Sequence, residues 1–212
     1  EAKVSHYQLS PRGFQDTGHL NLYCTGVHKT QIAAKEPTNI LSILWVLTAF
    51  PPFHYTRRSM PMANEQIAYL SDVFDAIRCV QQERLIDLAV RLPRNDYGLE
   101  LKTTVLKRFP DVSLELSTDL NQAASKYDLV IVTYQGTTDL ELLAANKPCL
   151  IFRDRTVWKL KSEYLPYEDE LERVGLLVQT PEQLHEKVEL IKRDIIGWWG
   201  ADELQAARQE FR

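Results

Sequence analysis

The chain has 212 residues, 44% of them hydrophobic and 25% charged, with a formal net charge of −4. This is an ordinary globular composition, and the length is enough for one large α/β domain or for one domain plus an appendage. No basic block is present to track a nucleic-acid backbone, and no apolar run reaches the ~18–20 residues needed to cross a bilayer.

Residues 1–38 are punctuated by Pro11, Gly13, Gly18, Gly26 and Pro37. They carry few periodic apolar positions and read as an irregular connecting segment or the tail of a preceding domain. There is no initiating Met and no signal-like start, so the chain is expected to be a processed product or a piece of a longer protein. From Asn39 the texture changes, and residues 39–212 are expected to form a Rossmann-like domain that includes the C-terminal helices.

Ile40 to Thr48 reads as a buried strand stopped by Pro51-Pro52. Ala63 to Cys79 places Ile67, Leu70, Val73, Phe74 and Ile77 on one helix face. Arg84 to Leu92 is strand-like, although its front end could belong to a helix. A helix over Leu99–Phe109 and a short strand over Val112–Leu116 follow, then a helix capped by Ser117 or Thr118 that runs to Lys126. Asp128 to Tyr134 is a strand, Thr138 to Ala145 a helix and Pro148 to Phe152 a strand. Thr156 to Val174 reads as one longer helix, with a bend at Pro166. Leu176 to Val178 is a short strand, and Thr180-Pro181-Glu182-Gln183 caps a helix running to about Asp194. Trp198-Trp199 is read as a packing anchor before a terminal helix over Ala201–Phe211. Strands alternating with crossover-length helices predict a three-layer α/β domain with a mostly parallel sheet.

The strand-turn-helix around Tyr134-Gln135-Gly136-Thr137-Thr138 is the most informative segment. Such a junction offers free backbone N–H groups and a positive helix end to a phosphate. Gln135, Thr137 and Thr138 add polar groups, Gly136 permits close approach, and Glu141, one turn on, suits the hydroxyls of a ribose. An N-cap with Glu141 as its capping-box partner is the competing explanation. Arg91 and Arg94 follow a strand expected to open on the same rim, where they could clamp phosphate oxygens. The alternative for Arg94 is a pair with Asp96 or another surface carboxylate. Tyr55 to Ser59 and Arg153-Asp154-Arg155 share that rim and could be either pocket or solvated loop.

The three cysteines (Cys24, Cys79, Cys149) show no CxxC pair and are expected to be free thiols in a reducing compartment. The five histidines show no metal-ligand spacing, and only His54 is placed for catalysis. Neither a bound metal nor another cofactor is expected. A GxSxG elbow, a P-loop and a GxGxxG fingerprint are all absent, which removes serine hydrolases, P-loop NTPases and NAD-dependent dehydrogenases.

The run Thr137-Thr138-Asp139-Leu140-Glu141-Leu142-Leu143-Ala144-Ala145-Asn146-Lys147-Pro148 resembles the donor-binding half of glycosyltransferases built from two Rossmann-like domains, the GT-B architecture. With Ile43 to Val46, Arg91 to Gly98, Leu176 to Pro181, Trp198-Trp199 and Ala206 to Phe211, the order of motifs resembles bacterial surface-polysaccharide transferases related to Kdo transferases. The resemblance covers about residues 39 to 212. It implies that Thr137, Thr138 and Glu141 face a nucleotide-sugar donor, with Arg91 or Arg94 near its phosphate. It also implies a glycan acceptor bound through an N-terminal domain not contained in this chain, no metal, and a cytoplasmic setting. Association with a membrane surface stays open. Leu92-Pro93 stands where Kdo and sialic-acid transferases often carry His-Pro, a point against a CMP-sugar donor. The expected function is therefore that of a donor-binding domain in surface-polysaccharide synthesis, with the catalytic residues unassigned. The rivals are a non-catalytic Rossmann-like nucleotide-binding or assembly module and a nucleotide-sugar epimerase of the same architecture.

Overall fold

The computed structural model describes residues 39–49, 51, 63–134, 136–160 and 162–209. The expectations for the segment 1–38, for His54, for the Tyr55–Ser59 loop and for Gln135 lie outside the described residues.

Among the described residues six strands form one sheet: β1 Leu41–Val46, β2 Ile86–Arg91, β3 Ser113–Leu114, β4 Leu129–Val132, β5 Cys149–Phe152 and β6 Leu177–Val178. Their order is β3-β2-β1-β4-β5-β6, and every neighbouring pair is parallel. The helices are α1 Ala63–Gln81, α2 Leu101–Arg108, α3 Leu120–Ala124, α4 Thr137–Ala144, α5 Leu165–Arg173, α6 Pro181–Arg193, α7 Ile195–Gly200 and α8 Asp202–Gln209.

The central strands β4 and β5 are apolar and buried along their length, as is β1 apart from Ser42, as expected of strands covered on both faces. Ile43, Trp45, Ile131 and Leu150 point into one core, which is closed by Val73 and Ile77 of α1, Val105 of α2 and Val188 of α6. The alternate residues Leu44, Val46, Val130 and Ile151 point into the other, closed by Ala123 of α3, Leu142 of α4, Leu171 of α5 and Leu204 of α8. This period-two alternation makes the three-layer Rossmann-like sandwich that the sequence predicts.

Several boundaries differ from expectation. Residues 156–160 are not helical. The Asp154 carboxylate accepts from Thr156 N and Oγ1 at 2.7 and 2.8 Å, closing a turn there. After a 3-10 turn at Ser162–Tyr164, α5 begins at Leu165 with Pro166 in its first turn. Proline lacks the N–H and its ring clashes one turn upstream, so it starts this helix rather than bending a longer one. Asp119, not Ser117 or Thr118, caps α3, accepting from Gln122 N at 2.8 Å. Residues 82–85 form a turn, with Leu85 at φ 64°, instead of extending β2. Trp198-Trp199 sits in a helix of its own, α7, which Asp194 caps. Thr180 caps α6 as expected, and Gln183 completes a capping box with it.

Two polar latches align β1 with β4. At their N-terminal ends, Ser42 N and Oγ donate to the Asp128 carboxylate at 2.8 and 2.7 Å, and Asp128 N donates back to Ser42 Oγ. At their C-terminal ends, Thr133 Oγ1 donates to Val46 O at 2.9 Å, so the Tyr69 hydroxyl, 2.7 Å away, must donate to Thr133. Tyr69 in turn accepts from Thr48 N at 3.2 Å. Burial raises the Tyr69 phenol to about 12, which keeps it a neutral donor. Tyr69→Phe should therefore lower stability by about 1–3 kcal/mol, because Thr48 N loses its acceptor in a partly buried place. Urea unfolding checks this; an unchanged midpoint would show that water replaces the hydroxyl.

Candidate functional site

In a parallel sheet all strands end on the same rim, and ligands favour the crevice where strand order reverses. Here the reversal lies between β1 and β4. Register places Arg91 beside Val46, and Val46 beside Val132, in one row across that rim. Arg91 thus lies on this rim one strand away from the switch point, and the turn into α4 follows β4 on its other side.

The two arginines converge. Arg91 NH2 and Arg94 NH2 donate to the same acceptor, the carbonyl oxygen of Thr118, at 3.0 and 3.1 Å. No ion pair among the described residues involves either guanidinium. Asp96, the carboxylate suspected of pairing with Arg94, instead accepts from Gly98 N at 3.0 Å. Arg91 Nε is buried without a hydrogen-bond partner among the described residues. Two gathered cations with no carboxylate counter-charge among the described residues have N–H donors to offer an oxyanion.

The second side is the start of α4. Its N-cap is Gly136, with no side-chain cap, so the Thr-Glu capping box considered from the sequence does not form. Thr137 is exposed and Glu141 half-buried. Thr138 is buried, and its Oγ1 lies 2.5 Å from the Tyr134 hydroxyl. A Cβ on Gly136 would stand 2.8 Å from Cε2 of Tyr134, so the glycine admits the tyrosine ring against the turn. Burial raises the Tyr134 phenol; its hydrogen bond to Thr138 opposes this, and the nearby charges of Asp139, Arg91 and Glu141 also act on it. Tyr134 thus feels charges from both sides of the switch point, Arg91 of β2 and Asp139 and Glu141 of α4. The sequence placed Tyr134 in the turn but did not single it out.

Asp139, in the first turn of α4, is not available to a ligand. Its carboxylate is 7% exposed and 3.1 Å from Arg153 NH1, itself 4% exposed. Arg153 also pairs with Glu168 of α5 at 3.1 Å, and Arg155 extends the cluster to Glu168, Asp169 and Glu172. The Arg153-Asp154-Arg155 segment, which could have been pocket or loop, thus ties β5 to α4 and α5. No local pattern signals this cluster, since its partners lie 13 to 17 residues away in sequence.

Among the described residues no group of His, Cys, Asp and Glu is placed to hold a metal ion. Cys149 is buried, which raises its thiol well above the ordinary value. His185 lies in α6, 3.5 Å from Glu83. Trp199 Nε1 donates to Asn146 Oδ1 at 3.0 Å, and Arg208 donates to Leu143 O at 2.8 Å, so α7 and α8 fasten the C-terminal end of α4. This agrees with the anchoring role expected of the tryptophan pair. No described helix is long and apolar enough to cross a membrane.

Fold and rim together define a parallel Rossmann-like domain with an arginine pair after β2 and a helix start without a side-chain cap after β4. The chain belongs to the LIC12162 family of transferases, whose family model matches residues 19–212. Among solved structures it is similar to TarM, with TM-score 0.47 and 13% identity over 86% of this chain and 34% of that one. It is also similar to a Listeria monocytogenes protein assigned as a UDP-N-acetylglucosamine 2-epimerase, with TM-score 0.48 and 14% identity over 78% of this chain and 40% of that one. The chain thus spans well under half the length of either. A comparison with curated proteins gave no match.

Proposed function

We propose that this chain is the donor-binding domain of a glycosyltransferase, one half of a GT-B architecture, acting on a nucleotide-sugar in bacterial surface-polysaccharide synthesis. Membership of a transferase family supports the reaction class. The observation that carries the reading is the pair Arg91 and Arg94, held on one carbonyl with no carboxylate partner among the described residues. In this reading the pair holds the donor phosphate, the start of α4 at Gly136, Thr137 and Thr138 supplies N–H and hydroxyl donors, and Glu141 takes the ribose. Gln135, next to Gly136 in sequence, is proposed to take part with them. The buried Thr138 hydroxyl acts through Tyr134, to whose hydroxyl it is bonded. These groups would stabilise the leaving phosphate electrostatically. The acceptor glycan is bound by a further N-terminal domain, the setting is cytoplasmic, and no metal or other cofactor takes part. The donor is a CMP-sugar of the Kdo type or another nucleotide-sugar, and the departure at Leu92 leaves the base for experiment to assign.

Calorimetric titration with CMP, UDP and their sugar conjugates tests this. One of them is expected to bind at a single site, and Arg94→Ala combined with Thr138→Ala should weaken it at least about tenfold. If none binds, or if the double variant binds as well as the parent, the chain is instead a non-catalytic Rossmann-like module.

A further inference from the structure

Glu115 follows β3 and is buried, and its N–H donates to Val90 O, the residue before Arg91. Its carboxylate accepts from Ser117 N at 2.8 Å, from Lys126 Nζ at 2.9 and 3.1 Å, and from the Tyr127 hydroxyl at 3.0 Å. Lys126 Nζ also donates to Ser117 Oγ at 2.8 Å. Burial alone would raise this carboxyl, but the bonds from Ser117, Lys126 and Tyr127 outweigh it and bring it down to about 2. It is therefore a permanent anion whose charge Lys126 neutralises on the spot.

The turn tied down in this way ends at Thr118, whose carbonyl receives both arginines. Two guanidinium groups repel each other, and each side chain has many rotamers to occupy. A fixed neutral acceptor can gather them without cancelling their charge, as a carboxylate would. We infer that Glu115 is a positioning residue for the arginine pair. Its hydrogen bonds hold residues 115–118 rigid, and this places the Thr118 carbonyl where Arg91 and Arg94 can meet on it, ready for a phosphate or diphosphate. The inference rests on the donor reading for its ligand class, and Glu115 itself touches no ligand.

The test is a double-mutant cycle on the full chain with inorganic pyrophosphate as the probe, followed by calorimetry, with circular dichroism confirming the fold of each variant. Glu115→Gln should weaken pyrophosphate binding about tenfold, the effect of losing about one charge-assisted hydrogen bond. In an Arg94→Ala background the same substitution should cost clearly less, because it acts through the arginines. Equal losses in both backgrounds, or no loss in the parent, would overturn the inference. If Glu115→Gln does not fold, Ser117→Ala and Tyr127→Phe each remove one bond of the same knot and should show the same coupling at smaller size. A parent chain that does not bind pyrophosphate also overturns it. A parent that binds pyrophosphate but neither CMP nor UDP would refute the nucleotide-donor reading alone, and the cycle would still decide the role of Glu115.

Discussion

Replacing Arg153 with methionine is expected to lower stability by about 3–5 kcal/mol, the largest effect predicted for any single charged residue here. Arg153 bridges Asp139 and Glu168 at 3.1 Å each, and all three side chains are at most 7% exposed. Glu168 keeps a second partner in Arg155 at 3.1 Å, but among the described residues Asp139 pairs with Arg153 alone. The variant therefore strands the Asp139 carboxylate in the interior. Burial already raises the Asp139 carboxyl above its ordinary value, and Arg153 is the main influence opposing that rise. Without Arg153 the rise must be larger.

The sign of the pH dependence follows. A carboxyl whose folded pKa lies above its unfolded value holds a proton more readily when folded, so stability increases as pH falls through the folded value. The deficit of Arg153→Met should thus be smaller at about pH 5 than at about pH 8. Adding Asp139→Asn should recover much of it at the higher pH, since the buried charge is gone. Urea denaturation at the two pH values measures both effects. A deficit independent of pH and untouched by Asp139→Asn would mean that the lost arginine packing, not the stranded charge, dominates.

The second large effect concerns binding. Arg91→Ala with Arg94→Ala should reduce affinity for a nucleotide phosphate by a factor of about 100 to 1,000, as two charge-assisted contacts are lost. Stability should change little, because Arg94 is exposed and the bonds both residues make to Thr118 O lie at the surface. Binding should also weaken with added salt in the parent and less so in the variant, since the screened charges would be gone. Calorimetry at two salt concentrations, with thermal unfolding as the control, separates the outcomes. A variant that unfolds early but binds normally would make the pair a structural clamp.

Much of the fold was legible because its signals are local. Apolar runs such as Leu41–Val46 and Leu129–Val132 announce buried parallel strands, and Thr180-Pro181 announces a helix start, whatever surrounds them. The failures have local causes too. The helix drawn from Thr156 counted apolar spacing but missed that Asp154 closes a turn on Thr156 and that Pro166 opens a helix. At α3, the hydroxyls of Ser117 and Thr118 looked like caps, while Ser117 was already engaged by Glu115 and Lys126.

The site was legible in part. By itself the sequence determined that this is a parallel α/β domain, with polar residues at the strand ends near Arg91 and Gly136, because side-chain periodicity and capping depend only on neighbours along the chain. Tertiary structure alone decided which of those residues share an environment. Arg91 and Arg94 reach a carbonyl 27 and 24 residues away, and Arg153 is taken into the interior by two carboxylates from different helices. Such partnerships depend on strand order and on how much water each cluster excludes. Both are set when the sheet assembles, and neither is written in the spacing of residues along the chain.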